Sequence, residues 1–518
     1  MSCYLVDILQ VVVVFVLGYT GYRVYYALYV SPLRNIPGSL LCRLTKRHLE
    51  QATVRGHMAQ FGLRGMHTYG SVFVCQPDAV CISDAADIRR VLSSPAFTKS
   101  AYYRILRFTG IDSLMSTRDP HHVSQKRRVL GPYFSTSYLG KMEHLVIEHG
   151  SRAICRRWDE MLGQSAGTIR VNYCSTFSLC TLNVIARLVY GQELGALDAG
   201  APESTLQWMS ESTTYISVRA LLQLLPRWLF RAVTWPWEHR YRRIADHVHA
   251  SIRTRAALLG AGHAPPADLL QALLDCCGGS EPARVRLDAR QVHAEALLLL
   301  IGGIDPTAFT LTWTVHLLML YPQCYRRAVD EVRAQFPGGG ADAAQIAYAQ
   351  ARLRLPYLEA CIYECMRLVP VPQLMVPRVV PAPGAAVAGH ALPAGTTVFA
   401  NVLGAHLDPR QWPDPHRFDP TRFLDPATRR AAIHGVFTFG YGTRICMGKH
   451  LAWLNMLTIM ANLLRRYDFR LPRAYTRTGP AVLDPATGHP RIMPMSPFIS
   501  AKPADQDADC WLEVSAAR

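Results

Sequence analysis

The residues best suited to chemistry cluster in one decapeptide, Phe439-Gly440-Tyr441-Gly442-Thr443-Arg444-Ile445-Cys446-Met447-Gly448. The run Lys449–Leu464 that follows carries Leu451, Ala452, Leu454, Met456, Leu457, Ile459, Met460, Leu463 and Leu464 around most of its circumference, which predicts a buried helix. Cys446 then stands at a helix N-terminus, where unpaired N–H groups and the helix dipole favour a thiolate over a thiol. Gly442 and Gly448 are expected to permit close backbone approach and unusual dihedral angles beside the sulfur. Arg444, two residues before the cysteine, is placed to reach an acidic group alongside it. A thiolate, a flat approach surface and a neighbouring cation together suit a haem iron with a propionate at its edge. Alone, a cysteine in a glycine-rich turn is more often a buried structural residue.

The decapeptide as a whole resembles the haem-binding loop of the cytochrome P450 superfamily, Phe-x-x-Gly-x-Arg-x-Cys-x-Gly, at Phe439, Gly442, Arg444, Cys446 and Gly448. The Leu451-Ala452 that usually follows is also present. The resemblance implies haem b, with Cys446 as the axial ligand of its iron. Other segments follow in family order across roughly residues 32–500. Glu364 and Arg367 share a helix face, a pattern worth only about 0.2–0.5 kcal/mol when exposed. With Pro415-His416-Arg417-Phe418 downstream, it resembles the family's buried Glu-Arg-Arg triad, in which Arg417 completes a network that locks the haem-side core. Arg378 stands where relatives often place a propionate ligand. The basic segment His121–Arg128, ahead of Pro132-Tyr133-Phe134-Ser135, resembles the helix that supplies a further propionate contact. Arg127 falls at the arginine position, and Val123 replaces the usual aromatic or histidine. The assignment is open by one residue, and a solvated basic face is the alternative.

Asp288, with Gln291 three residues on, signals a helix start. The helix runs through Ala294–Ile301 and Gly302-Gly303-Ile304-Asp305-Pro306-Thr307 to Leu320, and resembles the long family helix that crosses the distal haem face. Pro306 occupies the position of the usual threonine. Proline deletes a helical hydrogen bond and a hydroxyl, and is expected to kink the helix and open room for dioxygen. Thr307 lies about 100° further round and is the candidate substitute. An acid in so apolar a run is costly unless used or paired, so Asp305 is expected to be functional.

These residues need a scaffold, and 518 residues of which half are apolar can bury a large core. No interior stretch reads as a linker. The 14 cysteines lack the paired close spacings of a disulfide or zinc framework, and no Asn-x-Ser/Thr sequon occurs. The net charge of +17 is dispersed among arginines with no basic, aromatic-interleaved module. It therefore points away from nucleic acid, towards an anionic membrane surface, an acidic partner or plain solvation. Ile8–Val30 is long enough to cross a bilayer, with Arg23 snorkelling and Tyr19, Tyr22, Tyr25 and Tyr26 at an interface. Asp7, the length of the run and the lack of a small-x-small site argue against a cleaved signal peptide. Arg34, Arg43, Lys46 and Arg47 place the body on the cytosolic side.

The expected organisation is an anchor over 1–30, a proline-containing hinge over 31–50, a haem-binding catalytic domain over 51–500 and a polar tail over 501–518. Ser71–Val74 and Val80–Ser83 predict a hairpin, and Ala85–Leu92 a helix. The aromatic stretch Leu206–Arg243 reads as pocket roof, membrane contact or plain core. The resemblance implies a mainly α fold with a small β region, a triangular prism preceded by one transmembrane helix. It further implies a monooxygenase inserting one oxygen atom from O2 into an apolar small molecule. The pattern looks most like fungal microsomal members of secondary metabolism, whose substrates include terpenoids and polyketides. Electrons would come from NADPH through cytochrome P450 reductase, with cytochrome b5 a second candidate donor, at the endoplasmic reticulum membrane. Pro306 keeps open a reductase-independent isomerase or dehydratase; a haem sensor is the non-enzymatic alternative.

Overall fold

The fold grows from one helix that is apolar on nearly every side. In the computed structural model, which describes residues 2–107, 110–198, 227–266, 268–278, 287–340, 343–472, 477–497 and 500–517, Asp288 and Gln291 form the expected capping box. The helix Ala289–Leu320 continues unbroken through Pro306. Its residues from Thr307 to Leu320 are all buried. Such a helix has no solvent face and must be wrapped, and it packs along Tyr173–Tyr190, Pro356–Leu368 and Lys449–Arg466. Asn172 caps the first of these through the Ser175 N–H, and left-handed Gly191 ends it. Pro322 at the start of the next helix, Pro322–Gln335, marks where the central helix stops.

The described chain is mainly helical with four small sheets. Strands β1 (Val72–Gln76) and β2 (Ala79–Ile82) form the predicted hairpin, with Val74 opposite Val80 and a bulge before Gln76. The β3 strand is Thr98–Lys99, β4 Ile169–Asn172, β5 Val376–Val379, β6 Gly384–Val387, β7 His390–Pro393 and β8 Thr397–Ala400. The largest sheet runs β1-β2-β8-β5-β3, with β2 and β8 parallel. The helix after the hairpin is Ala85–Ser93, capped by Asp84. Most of Leu206–Arg243 lies outside the described residues or has undescribed side chains, although Trp235 is 70% exposed.

Two of the expected boundaries differ. Residues 31–50 are packed rather than a hinge: Leu33 and Ile36 sit in the cluster formed by Val74, Val80 and Ile82. The Val74 N–H donates to the Pro37 carbonyl at 2.7 Å, and Arg43 donates to the Leu33 and Ile36 carbonyls. Arg23 donates to the Leu44 carbonyl at 2.7 Å, which ties the N-terminal helix to this packed segment. The apolar helix before it is long enough over Gln10–Val30 to cross a bilayer. The central helix passes the same length and composition test, but as a largely buried core element.

Residues 501–518 are not a featureless tail. The strands β9 (Tyr467–Arg470), β10 (Met495–Pro497), β11 (Ala501–Pro503) and β12 (Trp511–Ala516) include its ends, and β12 is the middle strand of the sheet β4-β12-β9. Leu512 and Val514 are fully buried on the core face while Trp511, Glu513 and Ser515 alternate outward. Trp313 of the central helix donates to the Ala501 carbonyl at 2.6 Å, and the Met493 N–H donates to His316 Nε2 at 3.0 Å. Removal of residues 505–518 should unpair β4 and β9 together. Its thermal midpoint should fall further than that of Leu512→Ala, itself about 2–5 kcal/mol destabilised in urea titration; near-wild-type melting of the truncated chain would contradict this.

Candidate active site

The loop around Cys446 is built by its own backbone. The Cys446 N–H donates to the Phe439 carbonyl at 2.8 Å, the Ile445 N–H to Gly442 at 3.1 Å and the Gly440 N–H to Phe437 at 2.7 Å. Gly442 has φ +70°, and a Cβ there would stand 2.4 Å from the Ser93 Cα and 2.7 Å from the Leu92 carbonyl oxygen. Only glycine allows the loop to lie against the end of Ala85–Ser93. Gly448 differs from expectation, because its φ of −74° is open to any residue. A Cβ there would lie 3.8 Å from the Cys446 Sγ, an ordinary contact distance.

Cys446 is enclosed deep in the protein yet presents open surface, so its thiol fronts an internal space. Burial pushes the thiol up. The N–H groups of Gly448 and Lys449 and the positive charges of Arg127 and Lys449 pull it down. The helix N-terminus therefore opposes burial at the sulfur without reversing it, and the thiol remains raised. The central helix has a matching opening. Gly302 is exposed in mid-helix, with Leu298–Ile301, Gly303, Asp305 and Pro306 only half-buried, whereas Thr307 is buried. Ile304 shares a core cluster with Leu451, Leu454 and Met447, which joins this stretch to the start of the cysteine helix. A Cβ on Gly303 would meet Ile185 at 2.7 Å, so Gly303 belongs to packing.

Four cations converge on one edge of this space. Arg378 is buried and donates to the Tyr103 hydroxyl at 2.9 Å and the Pro377 carbonyl at 3.1 Å, while its Nε is buried without a hydrogen-bond partner among the described residues. Arg444 donates to the Phe97 and Pro95 carbonyls at 2.9 Å each rather than to an acid. Burial lowers both Arg444 and Arg127; Arg378 acts further on Arg444, and Cys446 opposes the shift at Arg127. Lys99, which the sequence reading missed, is pushed down to about 7, first by burial and then by Arg378, Arg444 and Arg127, with Glu295 opposing. A buried set of like charges with an orphaned guanidinium N–H is costly without an anion. The open thiol, the cationic edge and the orphaned donor fit a haem: Cys446 would take its iron, and these cations its carboxylates. Of the basic helix Pro120–Leu130, Arg127 is the residue within the field of Cys446; Arg128 is exposed and Lys126 turns elsewhere.

The expected triad needs one change of residue. Glu364 and Arg367 are fully buried and doubly bonded, Nε to Oε2 at 2.6 Å and Nη2 to Oε1 at 2.7 Å. The second arginine on Glu364 is Arg422, at 3.3 Å, not Arg417. Arg417 contributes its carbonyl, which accepts from Arg367 at 3.1 Å. The pattern Pro-x-Arg-Phe occurs twice, at 415–418 and 420–423. The short helical turn Pro420–Phe423, capped by Asp419, aims the second copy at Glu364. The Asp419 N–H also donates to Glu364, at 2.9 Å. His406 then links this network to the cysteine loop. The Phe437 N–H donates to its Nε2 at 2.8 Å, which puts the ring proton on Nδ1, 3.0 Å from the Arg367 carbonyl.

Glu364→Gln should cost about 3–5 kcal/mol by stranding Arg367. Arg422→Ala should cost more than Arg417→Ala in urea titrations; equal losses would return Arg417 to the network. Burial holds His406 and His316 down to about 3, with Arg367 adding to the effect at His406. Each is neutral in the fold but takes up a proton in the unfolded chain below about 6.5. The unfolded state thus binds more protons between those values, and stability is full above about 6.5 and falls as pH drops towards 3. His316→Leu should flatten that slope by up to about 1.4 kcal/mol per pH unit, read from urea midpoints between pH 7 and 4.

Comparison with known proteins agrees with this geometry. The cytochrome P450 family profile matches residues 46–479. The chain is 36% identical to cytochrome P450 monooxygenase helB1 of Aspergillus fumigatus over 98% of its own length and 86% of that protein. It is 35% identical to helB3 of the same organism, over 95% of each chain. Cytochrome P450 monooxygenase LUC2 of a Fusarium species is 29% identical over 85% of this chain and 84% of its own. On this profile match and these identities the chain belongs to the cytochrome P450 family and is a haem-dependent monooxygenase.

Proposed function

We propose that the protein hydroxylates or epoxidises an apolar small molecule of fungal secondary metabolism, a terpenoid or polyketide intermediate, while anchored in the endoplasmic reticulum membrane by Gln10–Val30 with its body in the cytosol. The observation that carries the chemistry is the open Cys446 thiol among cations, beside a central helix whose half-buried middle opens at Gly302. The haem, taken as haem b, supplies oxygen activation and transfer when bound. Cys446 holds its iron, and Arg127, Arg378, Arg444 and Lys99 hold its carboxylates. The half-buried leucines and Ile301 of the central helix offer the apolar wall that a substrate of this class needs.

Asp305 is the proton carrier in this reading, with Thr307 behind it. Pro306 cannot donate the N–H that would close the helical bond to the Gly302 carbonyl, so that carbonyl, at an exposed glycine, is available to a water or a substrate hydroxyl. This local arrangement takes the place of a hydroxyl at position 306. Arg352 and Lys449 stand together beside the cysteine loop, where burial and then the charge of Arg352 lower Lys449. They form a basic face suited to an acidic electron donor, NADPH-cytochrome P450 reductase, with cytochrome b5 as a second candidate.

Incubation of membranes containing the protein with reductase, NADPH, isotopically labelled dioxygen and extracts of candidate intermediates tests the reading. One labelled oxygen in the product, only when reductase is present, is expected. Turnover of a substrate without reductant would instead favour the isomerase reading that Pro306 motivates. Asp305→Asn should divert several-fold more reducing equivalents to peroxide; unchanged coupling would remove Asp305 from the proton path.

A further inference from the structure

Lys126 and Glu295 make a buried ion pair that the chemistry above does not use. Their side chains are 6% and 2% exposed, and Nζ lies 2.7 Å from Oε1. Lys126 also donates to the Asp112 carbonyl at 2.6 Å. Glu295 accepts the Leu114 N–H with both oxygens, at 2.8 and 3.1 Å. The Leu114 and Met115 carbonyls in turn accept from Lys99 at 2.8 and 3.0 Å. One short loop, 112–117, is therefore gripped from the basic helix, from the central helix and from the cationic edge. Met115 packs inward against the cluster of Leu297 and Ile304. Asp112, Thr117 and Lys126 line an open cleft on the other side. The loop thus has Asp112 and Thr117 on that cleft and Met115 on the cluster that Met447, next to the cysteine, also joins.

We infer that Lys126 and Glu295 are positioning residues, which hold the 112–117 loop as the outer wall of the chamber and fix the turn of the basic helix from which Arg127 addresses Cys446. A buried ion pair is weak as a source of stability, since apolar residues of similar volume often replace one at little cost. What they cannot replace is the grip on the Leu114 N–H and the Asp112 carbonyl. Lys126 and Arg127 are adjacent and point about 100° apart, so anchoring one sets the direction of the other.

The test compares Glu295→Gln, Glu295→Leu and the double variant Lys126→Met/Glu295→Leu in the haem-loaded protein, checked for full haem content. Amide exchange at residues 110–117 and binding of 4-phenylimidazole by optical titration are the readouts, and the first does not depend on the proposed substrate or donor. The double variant should melt close to wild type, yet exchange these amides at least tenfold faster and bind the probe several-fold more weakly. Glu295→Gln keeps an acceptor for the Leu114 N–H and should retain most of the protection that Glu295→Leu loses. Exchange and probe binding unchanged in the double variant would overturn the inference. Equal loss in Glu295→Gln and Glu295→Leu would also do so, because the pair would then act through charge alone.

Discussion

A sulfur that must be anionic inside a protein is the constraint that organises this molecule. Burial at Cys446 opposes ionisation, and the forces against it are two backbone N–H groups and the charges of Arg127 and Lys449. These lessen the cost without removing it; a metal cation bound to sulfur does remove it. The same tension appears with opposite sign a short distance away, where Lys99, Arg378 and Arg444 crowd together. A metal-centred dicarboxylate would bring each half of the site a further opposite charge.

Rigidity is delivered to the loop through polar links. All five Arg367 N–H groups are engaged and Glu364 Oε1 accepts three times: the pair reaches the carbonyls of His406, Pro415 and Arg417, the Asp419 N–H and the side chain of Arg422. His406 carries that order one step further, to the backbone of Phe437, two residues before the loop begins. Networks of this kind are strong when every member is satisfied and costly when one is missing. The far end of the chain contributes in the same way, since β12 closes a sheet beneath the central helix and His316 takes the Met493 N–H.

Much of this was legible in the sequence. The decapeptide identified the cysteine because several residues with different physical duties coincide in it, and Asp288 with Gln291 marked a helix whose cap forms as expected. Arg417 was misassigned because Pro-x-Arg-Phe occurs twice within nine residues, and only the turn Pro420–Phe423 decides which arginine points inward. Lys99 carries no local signal; its hydrogen-bonding and charged side-chain partners come from segments some 15 to 345 residues away. The strand β12 was hidden by its own alternation, because outward-facing Glu513 and Ser515 dilute the apolar face to the level of a polar tail. Gly448 has an ordinary φ of −74°, so of the two glycines expected to allow unusual dihedral angles only Gly442 adopts one.

The bond between Cys446 and iron bears the whole account, and it is directly visible in the ferrous–CO spectrum of the purified protein. Wild type should show the strongly red-shifted Soret band that a thiolate ligand produces. Cys446→Ser, at matched haem content or with haem lost, should not. A red-shifted band that survives in Cys446→Ser, or a wild-type protein that binds no haem, would contradict it.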